Sequence, residues 1–242
     1  MPTRADVTRL ARGQRRISDY AADDLRRLVA SFDMSSPELV RDALLEVVPQ
    51  LVHEYGDLAA TAAAEWYEEV RDAPGVFHAR LGGEAAVEAV TENVRFAARH
   101  LFTDEPIAVL GALSGAMQRF ITYSGRDTVL ENVRLDSSRP MFARVPAGVN
   151  TCAFCELVAS RGFAYYSKEA AGAVVKYHDH CNCQIVPSWD AEAAHIAGYD
   201  PDAMYDRYLV AARVADGGSP SDVLAAMRRE FPGHYTDGVY DD

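Results

Sequence analysis

The stretch Ser36–Gly75 reads SPELVRDALLEVVPQLVHEYGDLAATAAAEWYEEVRDAPG. Ser36 offers an N-cap and Pro37 suits the first helical position. From there Val40, Leu44, Val47, Leu51, Tyr55, Leu58, Ala62, Trp66 and Val70 recur every three or four residues, which predicts one face of a long amphipathic helix over 37–72. Pro49 lies inside the pattern. It lacks an N–H and crowds the preceding turn, so a kink or break is expected near Val48. The run closes at DAPG.

The flanks carry the same texture. Residues 4–31 read as a polar, Arg-rich helix with apolar Val7, Leu10, Leu25, Leu28 and Val29. A third helix is marked by Val87, Val90, Val94, Ala98 and Leu101. A fourth starts at Pro106 and carries Ile107, Leu110, Leu113, Met117, Phe120 and Ile121. The aromatic residues on these faces read as core. After Ser124 the 3.6-residue period fades, and short β-like pieces such as MFARV (141–145) stand between turn signals. Helices return after Trp189. One is capped by Asp200 and Pro201, another by Ser219 and Pro220, and the tail HYTDGVYDD is expected to be extended or mobile.

The expected fold class is therefore α+β and mainly α. An N-terminal helical bundle (1–125) precedes a small β-containing Cys/His module (126–190), and C-terminal helices with an acidic tail (191–242) follow.

The 242 residues carry a net charge of −12, with 49% hydrophobic and 25% charged residues. An acidic chain is poorly suited to gripping nucleic acid over a wide surface. The exception is the start, where Arg9, Arg12, Arg15 and Arg16 crowd one segment; a solvated helix face is the plainer reading. No apolar run reaches the roughly 18 residues of a membrane span. The charged N-terminus lacks the apolar core of a secretory signal, so a reducing compartment is expected, where clustered cysteines favour metal over disulfides.

All the cysteines lie between Asn150 and Trp189. Cys152 and Cys155 have the C-x-x-C spacing that lets two thiolates converge from a tight turn, the commonest half-site for structural zinc. After a gap of 22 residues comes YHDHCNC, with His178, His180, Cys181 and Cys183. A tetrahedral ion needs four ligands, and six are on offer. Cys152, Cys155, His178 and Cys181 form the leading set. If HCNCQIV is extended, Cys181 and Cys183 share a face and Cys183 could replace His178. His180, also if extended, would share a face with His178. A zinc contributes on the order of 10–16 kcal/mol of apparent folding free energy, and this turn-rich segment has little core of its own. Two disulfides and free thiols are the rival readings.

Catalytic readings find less support. There is no H-x-E with P-C-x-x-C for a zinc deaminase, no H-E-x-x-H at His53, and no phosphate-cradling glycine motif. A Cys-His nucleophile has little behind it when every Cys sits in metal-type spacing.

The segment RVPAGVNTCAFCELVASRGFAYYS…YHDHCNCQIVPSW resembles the MuF-like domain of phage head morphogenesis (minor capsid) proteins. Cys152, Cys155, Arg161, Gly162, His178, Cys181 and Cys183 fall on its pattern over roughly residues 140–190. More weakly, the helical part from residue 36 resembles such proteins from tailed phages of actinobacteria. Asp179 stands where the family often has Pro.

The resemblance implies a non-enzymatic virion protein, assembled in the host cytoplasm and present in several copies near the portal of the head. Its expected partners are the portal protein and a major capsid or scaffolding protein, with no membrane. Packaged DNA is a further partner through the N-terminal arginines. The competing readings are a zinc-supported nuclease or toxin-like domain using His178 or His180 as base, and a DNA-contacting module using the arginines.

Overall fold

A computed structural model describes residues 1–148, 151–167, 177–190 and 196–237. Asn150, residues 168–176 of the gap between Cys155 and His178, and the tail beyond Asp237 lie outside the described residues. The architecture is mainly helical with one small antiparallel sheet, an α+β fold.

Helix α1 (Arg4–Val29) starts in a capping box between Thr3 and Asp6. It buries Val7, Leu10, Gln14, Ser18, Ala21, Leu25 and Val29, an unbroken three- and four-residue stripe. Helix α2 (Pro37–Val70) follows, then α3 (Val87–Ala97) with a 3₁₀ turn at Ala98–Phe102, then α4 (Ala108–Leu135). The most extensive packing in the molecule is α2 against α4, with α1 laid across both.

Three sequence expectations change here. Helix α2 passes unbroken through Pro49, because packing along both flanks offsets the roughly 3 kcal/mol cost of an interior proline. Its buried stripe is also not the one that the large residues mark. Beyond Val48 it runs through Val52, Gly56, Ala59, Ala60, Ala63, Trp66 and Tyr67, while Leu58 is 54% exposed. Small residues win this face because they let the helices meet backbone to backbone. A Cβ on Gly56 would lie 2.9 Å from Ser124 Oγ, and one on Gly125 would lie 3.0 Å from the Ala59 carbonyl oxygen.

The third change concerns α4, which continues past Ser124 to Leu135. The hydrophobic period fades there because Thr122, Ser124, Gly125, Arg126, Thr128 and Asn132 are all buried. Polar side chains occupy the interior face and find carbonyl partners: Thr128 donates to the Ser124 carbonyl, and Asn132 to the Thr128 carbonyl and to the Arg80 carbonyl of the segment after α2.

Strand β1 (Met141–Val145) pairs antiparallel with β2 (Gln184–Ser188), Ala143 opposite Val186. The sheet packs onto the bundle. One core cluster joins Val7 and Leu10 of α1, Trp66 and Tyr67 of α2, Val129 and Val133 of α4, and Phe142, Val145, Ile185 and Val186 of the strands. A second fills the other end with Leu25, Leu44, Val94, Leu113 and Ile121.

A buried ion pair fastens the junction. Arg71 donates to Asp136 at 2.8 and 3.1 Å, and Trp189 Nε1 donates to the same carboxylate at 3.0 Å. Burial alone would raise the Asp136 pKa. The bonds from Arg71, the Ser138 amide and Trp189 outweigh it and hold the carboxyl at about 2.

Beyond the sheet, α6 (Pro201–Val214) and α7 (Pro220–Glu230) begin at the caps read from the sequence, Asp200 and Ser219. The described part of the tail departs from the expectation of a loose end. Thr236 N bonds the Thr151 carbonyl at 3.1 Å, and Tyr235 is buried against Ala153, Ala211 and Met227.

Candidate metal centre

The first half of the site is α5 (Ala153–Ala159), a short helix whose N-cap is a cysteine. Cys152 Sγ accepts the Cys155 amide at 3.2 Å, which turns both sulfurs to one side. The second half comes from a turn that runs into β2. His180 is left-handed (φ 59°) and Cys181 N bonds the His178 carbonyl at 3.3 Å, so His178 and His180 do not share an extended face. Cys181 and Cys183 precede β2 and are both buried on one side, as the alternation requires.

The two halves meet. Cys155 Sγ lies 3.6 Å from Cys181 Sγ, and His178 Nε2 lies 2.9 Å from Cys152 Sγ and 3.2 Å from Cys155 Sγ. The donor atoms form two triads that share Cys155: Cys152, Cys155 and His178, and Cys155, Cys181 and Cys183. All four cysteines are free thiols. His178 Nδ1 bonds the Asp179 carbonyl at 2.6 Å; a carbonyl only accepts, so Nδ1 carries the proton and Nε2 faces the sulfurs. A pocket of about 30 Å³ opens among these five residues, Pro146 and Thr236, room for one small ion or water. Thiolates and an imidazole, with no carboxylate, are the donor chemistry that zinc prefers. His180 lines the mouth of the pocket and packs on Gly115 of α4.

The sequence reading passed over two arginines that complete the centre. Arg144, in β1, is 1% exposed, and its Nη2 lies 3.1 Å from Cys155 Sγ and 3.2 Å from Cys181 Sγ. Arg126, in α4, is 1% exposed and donates to the carbonyls of Cys183 (2.9 Å) and Cys181 (2.7 Å). Both guanidiniums stack over the Tyr177 ring, at 4.2 and 4.0 Å. The one sequence signal was an arginine inside an apolar strand, MFARV.

Mutual hydrogen bonding divides the thiols. Cys181 accepts from Cys155 and Cys183 and is pushed well below its ordinary value, helped by the two arginines. Cys155 and Cys183, as donors, are pushed up. Burial would lower the Arg144 pKa, but the facing cysteines and Tyr177 outweigh it and raise it.

Behind the cysteines, Glu156 points the other way and is 1% exposed. Arg207 Nε (2.6 Å) and Tyr235 OH (2.9 Å) donate to one oxygen, and His234 Nε2 lies 2.9 Å from the other. Asp237 accepts from the Ala153 amide at 2.9 Å, so the tail caps the helix that carries Cys155.

The four N-terminal arginines do not act as one surface. Arg9 pairs with Asp6 and Glu69, and Arg16 bonds Tyr20 OH. Arg12 and Arg15 line a groove of about 470 Å³ with Thr8, Ala147, Gly148 and Asn182, and Arg15 donates to Asn182 at 2.6 Å. Among the described residues no helix is long and apolar enough to cross a membrane.

The chain is similar to the Gene 15 protein of Mycobacterium phage L5, 26% identical over 196 aligned residues that cover 62% of this chain and 65% of the relative. It is also similar to the Gene 15 protein of Mycobacterium phage D29, 25% identical over 187 aligned residues covering 62% and 67%. The chain thus spans about two thirds of each relative's length. No solved structure matches it. The VG15 protein family matches residues 1–211, which takes in the bundle, the whole Cys/His cluster and most of α6. A match over that much of the sequence places the chain in this phage protein family: it belongs to the VG15 proteins.

Proposed function

We propose that this chain is a minor capsid protein of a tailed phage, seated near the portal of the head, where it assists head assembly or DNA packaging. The observation that carries the reading is the convergence of Cys152, Cys155, His178, Cys181 and Cys183 in a chain of a phage protein family. Those positions are the ones that resemble the MuF-like module. The centre acts as a zinc-stapled knot that stiffens one end of the bundle, and its role is architectural rather than catalytic. Portal and capsid or scaffolding proteins are the partners, reached through a bundle surface that leaves Leu39, Phe96, Phe102 and Ile107 more than half exposed. Several copies per virion fit that placement.

The test is genetic and structural. Phage lacking the gene should give heads deficient in portal attachment or DNA, and a cryo-EM map of the wild-type portal vertex should hold density for the chain. DNA-filled, infectious heads at wild-type yield without the gene would overturn the proposal.

The groove lined by Arg12 and Arg15 favours DNA binding as a second reading that is compatible with the first. Removing one arginine–phosphate pair should reduce the slope of log affinity against log salt by roughly 0.9. Arg12→Gln with Arg15→Gln should therefore flatten it by about 2. An unchanged slope rejects DNA binding in this groove. A nuclease reading would require metal-dependent cleavage that is abolished in His180→Ala.

A further inference from the structure

A cluster of metal-type donors stands apart from the cysteines, on the outer face of the bundle. His53 and Asp57 lie one helical turn apart on α2, so their side chains leave the same face. The residue before each, Val52 and Gly56, is buried, which fixes the backbone that carries them. Glu84 reaches the same point from the segment between α2 and α3. Its Oε2 lies 2.7 Å from His53 Nδ1, and one donor atom from each of the three residues lies within 4.8 Å of the other two.

Two glycines deliver Glu84 there. Gly82 N donates to Thr128 Oγ1 at 3.0 Å, and Gly83 N to Asp127 Oδ2 at 2.8 Å. A Cβ on Gly82 would sit 2.5 Å from the Asp127 carbonyl carbon and the Thr128 nitrogen, so glycine is what lets the segment lie this close to the α4 backbone. The third donor is therefore placed by main-chain packing.

A surface pair of imidazole and carboxylate is ordinary by itself. Here the carboxylates outnumber the imidazole. Glu84, Asp57 and Glu54 all act to raise the His53 pKa, and among the described residues none of the three is paired with a lysine or arginine. The His53 and Glu84 side chains are 58% and 48% exposed, which leaves water free to complete a coordination shell. An ion with bonds of about 2.1 Å holds its donors roughly 3–4 Å apart, a spacing these side chains reach by small rotations.

We propose that His53, Asp57 and Glu84 form a metal site separate from the cysteines, for a divalent cation of borderline or hard character such as manganese, and that the ion ties the connection between α2 and α3 to α2. One imidazole, two carboxylates and open water positions suit such an ion, whereas the buried thiols suit a softer one. On binding, the ion takes the place of the proton between His53 Nδ1 and Glu84, which leaves for solvent. The site does not depend on the cysteine cluster holding a metal.

Manganese(II) titrated into the full chain, with the cysteines kept reduced, tests the proposal. Loss of the EPR signal of free manganese should report one bound ion per chain. The His53 ring signals in NMR should broaden before those of the other histidines. Broadening of His178 first would put the ion among the cysteines and overturn the site, as would the absence of binding. His53→Gln, Asp57→Asn and Glu84→Gln should each weaken manganese about 10-fold or more. Glu54→Gln removes a charge but no donor and should weaken it less than any of the three. An equal loss in Glu54→Gln and Asp57→Asn would reduce the cluster to a diffuse negative patch and refute the proposal. At manganese tenfold above its dissociation constant, hydrogen exchange at Gly82 and Gly83 should slow by about 10-fold; unchanged exchange would refute the tie between the connection and α2.

Discussion

Asp136 joins the end of α4 to Arg71 at the end of α2 and to Trp189 just past β2, so removing its charge should loosen the seat of the knot on the bundle. In Asp136→Asn the side chain keeps its shape. Arg71, whose side chain is 7% exposed, loses its counter-ion, and removing one partner of a buried pair costs on the order of 3–5 kcal/mol. Acid provides an independent check on that figure. The carboxyl is held at about 2 in the folded chain against an ordinary 3.8, a difference worth roughly 2 kcal/mol. A carboxyl depressed by folding contributes its stability above the ordinary value and loses it as pH falls through the folded one. Wild type should therefore shed roughly 2 kcal/mol from this group between about pH 5 and about pH 2, and the variant nothing.

Urea unfolding of both chains, followed by circular dichroism at several pH values, measures the gap directly. Acid loss of metal affects both chains alike and cancels in the difference. The gap should be about 3 kcal/mol or more at neutral pH and should narrow by roughly 2 kcal/mol in strong acid. A gap below about 0.5 kcal/mol at neutral pH, or one that does not narrow, would show that the pair is not the fastening described.

Other perturbations reach the same architecture from different sides. Stripping metal with a strong chelator should lower the thermal midpoint, and added zinc should restore it; a midpoint indifferent to both would argue that the thiols are structural without metal. Gly125→Ala gains about 1 kcal/mol of helix propensity but drives a Cβ to 3.0 Å from the Ala59 carbonyl oxygen, so net destabilisation is expected in a denaturant titration, and a stabilised variant would refute the close crossing. Ending the chain after Gly233 removes the His234 and Tyr235 bonds to Glu156 and the Asp237 cap. Hydrogen exchange at Ala153 and Cys155 should then speed up by at least about tenfold, and unchanged protection would mean that the clasp contributes nothing.

Most of the helical order was legible in the sequence because local signals write it. Thr3, Ser219 and Asp200 cap their helices through side chains three residues from their targets, and the α1 stripe keeps its period from Val7 to Val29. The pairing of MFARV with QIVPS follows the expected extended pieces. The cysteine spacing likewise named residues that the fold brings together. Where local chemistry and burial disagreed, the sequence misled. Leu58 looked like core and Gly56 like nothing, because size marks a hydrophobic face only when the partner helix stands a side chain away. The fading period after Ser124 read as the end of a helix, although the cause was a polar interior along α4.

Which segments are helical, where they start and which residues could bind a metal are all written locally along the chain. What surrounds those donors is set by tertiary packing. Arg126 lies 55 residues from Cys181, and Arg144 lies 37 from it, separations over which no local pattern operates. Only the packing of α4 and β1 against the β2 turn brings two cations out of water onto one Tyr177 ring beside four sulfurs. Burial is what turns their charge from a surface detail into the term that sets the chemistry of the site.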